Sequence, residues 1–208
     1  MGKKALLMGL IAFLAGCATT EPPPGAFKAD VGFPSPGTKW VSRTVDHTGA
    51  ATTKTLTVLE EGAYEGKPAY RVSDGVNVVI LDKATRNWIA TLRGEKVRFA
   101  NSPHDGTFSP PLWVGKSWLA SYQYYDYDLG RSFTNVYYRW RVEAYEDITV
   151  PAGTFKAFRL EGNTPYSSTT LWYAPGVKLI VKRVYERGIG HYLGSGKFVT
   201  ELIEYPAK

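Results

Sequence analysis

The 208-residue chain has a single cysteine, Cys17, so no disulfide can form within one molecule. A secreted domain of this length must then be held by its core, and the chain is long enough to bury one. Histidine is almost as scarce. His47, His104 and His191 are scattered, and none stands at ligand spacing from another histidine or from the thiol, so neither a metal site nor a cofactor is expected. Long apolar runs are missing as well: the longest, residues 5–14, covers about ten residues against the roughly twenty that a spanning helix needs. No block of five or more like charges occurs, and the aromatic residues lack the spacing of an RNA-binding motif, so nucleic acid is excluded as a partner. No Gly-x-Ser-x-Gly elbow suggests a serine hydrolase. The glycine-rich stretch at residues 188–197 lacks a glycine four residues before Gly196-Lys197 and has Phe198 where a phosphate loop needs a hydroxyl. It reads as a flexible hairpin.

What the N-terminus does have is a short address. Lys3 and Lys4 supply a basic start, the apolar run follows, and Leu14-Ala15-Gly16-Cys17 closes it. This sequence resembles the lipobox of bacterial lipoproteins. The resemblance implies that residues 1–16 are a removed signal peptide and that Cys17, diacylglycerol-modified and N-acylated (the palmitate class of lipid), is the mature N-terminus. One acyl chain holds a protein only marginally, whereas two or more anchor it. Ala18 stands where an aspartate commonly signals inner-membrane retention, so the resemblance also implies an outer-membrane, periplasm-facing lipoprotein. Residues 17–37, with Pro22-Pro23-Pro24-Gly25 and Pro34-Ser35-Pro36-Gly37, read as a tether spanning about 3 Å per residue.

Residues 38–208 read as one β domain. Aromatics make up 14% of the chain, and β-branched runs recur between turn formers. Strands are expected near residues 40–45, 53–59, 69–73, 76–81, 88–92 and 96–99, then, after a long loop at 101–111, near 118–127, 132–145, 155–161, 169–173, 177–187 and 198–205. Short connections make neighbours antiparallel. A single antiparallel sheet of about eleven strands cannot stay flat, so the expectation is all-β, a strongly curved half-barrel or open barrel, with a β-sandwich as the alternative.

Two segments carry a further resemblance. Val150-Pro151-Ala152-Gly153-Thr154-Phe155 and Leu171-Trp172-Tyr173-Ala174-Pro175-Gly176-Val177, preceded by Pro110-Pro111-Leu112-Trp113-Val114-Gly115-Lys116-Ser117-Trp118, are similar to a signature of an uncharacterised family of bacterial envelope proteins. The residues themselves look architectural: Pro151 presets φ, Gly153 permits a positive one, and Phe155 can return to the core. The predicted architecture is also distantly similar to half-barrel carriers of lipid or lipoprotein acyl chains.

The candidate ligand-binding residues are Tyr122, Tyr124, Tyr125, Tyr127, Tyr138 and Trp140, which flank the turn near Gly130 on one expected hairpin. The expected function is non-enzymatic: a membrane-anchored lipoprotein that binds an apolar ligand, such as a lipid, or an envelope protein. The alternative is a cell-wall or polysaccharide hydrolase whose acid pair, Asp126 with Asp128 or Glu146 with Asp147, meets only in the fold.

Overall fold

The computed structural model describes residues 21–206, so the signal peptide, Cys17 and the first residues of the tether lie outside the described residues. Thirteen strands form: β1 (Lys39–Asp46), β2 (Ala51–Val58), β3 (Gly62–Tyr64), β4 (Lys67–Ser73), β5 (Val78–Asp82), β6 (Trp88–Arg93), β7 (Lys96–Ser102), β8 (Ser117–Asp126), β9 (Arg131–Val150), β10 (Gly153–Asn163), β11 (Ser167–Ala174), β12 (Leu179–Arg187) and β13 (Gly196–Glu204). Short polar turns set the hairpins. Asp46 Oδ1 accepts hydrogen bonds from the backbone N–H groups of Thr48 and Ala50, and Asp74 Oδ1 from those of Val76 and Asn77, each side chain standing in for a backbone partner.

Every ladder is antiparallel, and the sheet runs β2-β1-β13-β12-β11-β10-β9-β8-β7-β6-β5-β4-β3. It also closes on itself, because β2 pairs with β4 at Thr57–Ser73 and Val58–Val72. The fold is therefore a closed twelve-strand barrel with β3 as an extra strand, not an open or half-barrel of eleven. The β-sandwich alternative falls too, since one continuous ladder joins all strands. Closure gives β2 and β4 a partner that an open sheet would deny them. β3 escaped the sequence reading because three residues carry no periodicity; it pairs with the first half of β4, beside the ring.

Residues directly opposite in these ladders share a face, which traces one inner surface around the barrel. Toward one end that surface is packed. Tyr138, Trp140, Val142, Leu160, Leu171 and Tyr173 bury themselves against Phe108, Leu112 and Val31, and a contiguous cluster gathers Phe33, Trp40, Val58, Val72 and Leu202. Trp140 fits because its cross-strand neighbour is Gly162, where a Cβ would lie 2.5 Å from the indole. Near this end β10–β12 are covered on both faces, so Ala157, Ala174 and Leu179 are as buried as Phe158 and Tyr173. The two signature segments meet here, with Val150, Ala152, Phe155, Trp172 and Ala174 in one cluster.

The Pro/Gly-rich stretch divides into two parts. Its first residues, Glu21 to Gly25, are mostly exposed, but the rest docks. Ala29 exchanges two backbone hydrogen bonds with Leu112 (3.1 and 2.8 Å), Val31 and Phe33 are buried, and Phe27 stacks on Tyr145 at 4.5 Å. Arg86, which adopts a φ of 65°, locks this segment in place. Its buried guanidinium lies 5.0, 5.8 and 5.3 Å from the rings of Phe33, Phe108 and Tyr173 and donates to Lys178 O at 2.9 Å and Gly32 O at 3.4 Å. Burial draws its pKa down to about 10, so it stays charged at neutral pH.

Candidate functional site

The turns joining β1–β2, β4–β5, β6–β7, β8–β9, β10–β11 and β12–β13 gather at the other end of the barrel, the mouth. There the same inner face changes character. Along β12 it carries Arg183, Tyr185 and Arg187, opposite Leu171, Thr169 and Ser167 on one side and Thr200, Phe198 and Gly196 on the other. Arg183 remains exposed although it points inward, as do Thr52 and Lys54, so solvent reaches the inner wall.

Of the five tyrosines and one tryptophan singled out in the sequence, the structure brings Tyr122, Tyr124 and Tyr138 together on this wall. Tyr138 OH bonds Thr169 Oγ1 at 3.1 Å. Burial pushes the Tyr122 and Tyr124 hydroxyls far above the ordinary phenol range, with the Asp105 carboxylate adding to it for Tyr122 and the Tyr192 hydrogen bond for Tyr124. Trp140 faces the same way but sits in the packed region, stacked on Tyr138 at 5.0 Å. Tyr125 and Tyr127 point to the outside, stacked on each other at 6.0 Å. They belong to a different surface.

The rest of the wall comes from residues that the sequence reading passed over: Phe133, Tyr185, Tyr192 and Phe198. The glycine-rich loop after β12 reaches across the mouth. Tyr192 OH donates to Asp126 Oδ2 at 3.1 Å, shares a hydrogen bond with Tyr124 OH at 3.2 Å, and packs on Phe133 at 4.8 Å. Gly190 and Gly194 hold φ of 94° and 74° in this loop, which favours glycine at both. His191 bonds Tyr185 OH through Nε2 at 3.1 Å, and burial, helped by the Arg187 charge, holds its pKa below the ordinary value.

Acidic groups near the wall are already engaged. Asp105 is half-buried and its pKa raised by desolvation, although Trp88 N–H (2.9 Å) and the Thr107 hydroxyl (2.6 Å) donate to it. Asp126 also accepts from Leu129 N–H at 3.0 Å. Its suggested partner Asp128 lies on the turn, ion-paired with Arg98. Glu146 and Asp147 are successive strand residues and so point to opposite faces, Glu146 toward Arg159 and Trp172 Nε1, Asp147 toward Lys156. Among the described residues no cluster of three or more His, Cys, Asp or Glu could hold a metal ion.

A separate cleft of about 490 Å³ opens through the wall where β7 stops pairing at Ser102 and leaves residues 117–122 of β8 with a strand neighbour on the β9 side alone. Leu119, Trp118, His104 and Pro110 border it, and none of the six candidate residues does.

Fold and site together define a closed antiparallel β-barrel with a packed end and an aromatic, cationic mouth. No protein-family model matches the chain, and no curated protein matches it in sequence. Three solved structures are similar to it. They are a "putative lipoprotein" of Parabacteroides distasonis (16% identity, 84% of this chain and 97% of that one, TM-score 0.39), a "putative exported protein" with a YmcC-like fold from Bacteroides fragilis (12%, 85% and 99%, TM-score 0.44) and the "hypothetical lipoprotein" YmcC of Escherichia coli (9%, 85% and 91%, TM-score 0.44). These likenesses bear no part of the functional reading, which rests on the chain's own residues.

Proposed function

We propose that the protein is a lipid-anchored, non-enzymatic lipoprotein of the bacterial outer membrane, facing the periplasm, whose barrel mouth binds an envelope component. The Leu14-Ala15-Gly16-Cys17 sequence supports the anchor, with residues 1–16 removed and the lipid carried on Cys17. Because residues 27–33 dock at the packed end, the free tether is shorter than the Pro/Gly-rich stretch. The mouth then faces away from the anchored end.

The observation that carries the reading is the change along one inner face, from buried carbon around Val142, Leu160 and Tyr173 to exposed Arg183 beside Tyr185. An acyl chain would have to displace the protein's own Val31, Phe33 and Phe108 from the packed end, which favours a ligand taken at the mouth. The engaged, divergent carboxylates weigh against the hydrolase. Fractionation tests the anchor: the wild-type protein is expected in the outer-membrane fraction with a lipid mass on Cys17, and Cys17→Ser in the soluble periplasmic fraction. Wild-type protein that is soluble and unmodified contradicts the reading.

A further inference from the structure

We infer that the mouth is a binding site for a ligand carrying at least two oxyanion groups, carboxylate or phosphate, gripped by Arg183 and Arg187. The two faces of β12 differ in a way that carries the inference. On its outer face the charges are matched: Lys182 pairs with Glu201 at 2.8 Å, and Glu186 with Lys197 at 2.6 Å. On its inner face, among the described residues, neither Arg183 nor Arg187 has a carboxylate within ion-pair distance. Each guanidinium instead rests on a ring, Arg183 at 5.4 Å from Tyr185 and Arg187 at 4.7 Å from Phe198, and those two rings stack at 6.2 Å. Ring contacts hold the plane of a guanidinium without consuming its N–H donors, which are the groups that bind an oxyanion in a fork.

Two more features point the same way. Arg187 Nε is buried and has no hydrogen-bond partner among the described residues, so a donor is present with nothing to receive it. Its guanidinium also has its space because the opposite residue is Gly196: a Cβ there would lie 3.0 Å from Arg187 Nη2 and 3.1 Å from His47 Nδ1. Beside Arg183 the hydroxyls of Thr44 and Thr200, 2.8 Å apart, offer neutral donors. The two arginines are four residues apart on one strand face, about 13 Å along the backbone, a span suited to two anionic groups on one chain. The acids facing the mouth make no ion pair with either arginine: Asp105, which feels the Arg183 charge, is held by Trp88 N–H and the Thr107 hydroxyl, Asp126 by Tyr192 and Leu129, and Asp46 by Thr48 and Ala50.

The inference rests on the mouth being the binding site but not on the lipid anchor, so fractionation and binding can fail separately. The full-length protein in detergent is titrated calorimetrically with trigalacturonate, a carboxylate probe, and with inorganic triphosphate, a phosphate probe, at low salt. Binding of one or both is expected, weakened at least tenfold by Arg183→Gln and by Arg187→Gln and unchanged by Arg139→Gln, an exposed arginine on the outer face. The stronger probe identifies the oxyanion. Should Arg187→Gln fail to fold, the exposed Arg183→Lys variant still decides, since it keeps the charge, loses the fork and should bind several-fold more weakly. No binding of either probe at 10 mM, or equal losses from Arg139→Gln and Arg183→Gln, would overturn the inference.

Discussion

The packed end and the mouth are built from the same strands and the same inner face, yet they treat an arginine in opposite ways. At the packed end Arg86 is saturated: three rings surround it and two carbonyls accept from it. At the mouth Arg183 and Arg187 have rings to rest on but no acceptor that fills their forks. The first arrangement is what stability requires of a desolvated charge, and the second leaves binding capacity unused. Along a closed barrel, the place where self-satisfaction stops is where we propose the site.

Substitutions should separate the two regions. The largest effect is expected from Arg86→Ala, which takes the side-chain donor from the Lys178 carbonyl, leaves Gly32 O with the Tyr173 hydroxyl alone and empties an aromatic cage; a loss of about 3–4 kcal/mol should appear in chemical denaturation. A neutral result would mean that Arg86 is not what seats the N-terminal segment. Next comes Gly162→Ala, whose new methyl meets the buried Trp140 ring and should cost about 1–3 kcal/mol, read as a lower melting temperature. Both changes act at the packed end and should leave binding at the mouth intact in the folded protein.

The mouth should respond more gently. Tyr192→Phe removes the hydroxyl that ties the glycine-rich loop to Tyr124 and Asp126, a loss of about 0.5–1.5 kcal/mol that should speed amide exchange at residues 188–196 and leave the barrel protected. Uniform exchange changes across the chain would show that the loop is part of the core. The smallest effect concerns pH. His191 has a depressed pKa in the folded protein, first through burial and then through Arg187, so its neutral form is the one the fold favours. Its contribution is complete above the ordinary histidine value of 6.5 and fades as pH falls through the lower, folded-state value. An NMR titration should find the His191 midpoint below 6.5, with resonances of the loop moving with it; a midpoint above 6.5 would reverse the sign.

Much of this architecture could be read from the chain. All strands except β3 coincide with β-branched or aromatic runs between turn formers, and in β9 Tyr138, Trp140 and Val142, which alternate with Arg139 and Arg141, form the buried side. Closure was not legible, because it depends on a two-residue ladder between β2 and β4. The docking of residues 27–33 was hidden by their proline- and glycine-rich surroundings, although Phe27, Val31 and Phe33 were the apolar signal. Half of the mouth was legible as the tyrosines of β8 and β9. The other half was misleading, since an alternating Arg183, Tyr185, Arg187 reads as a wet outer face until the register with Leu171 turns it inward. Tyr192 lies in a loop, where no periodicity reveals what a side chain will touch.

The central claim, that one inner face is filled at one end and open at the other, is tested most directly by thiol labelling. In a Cys17→Ser background the chain has no other cysteine, so Arg183→Cys and Val142→Cys each introduce a single probe on the inner face. The account predicts rapid maleimide modification at 183 and protection at 142 until the protein unfolds. Equal protection at both positions, or equal reactivity, would contradict it.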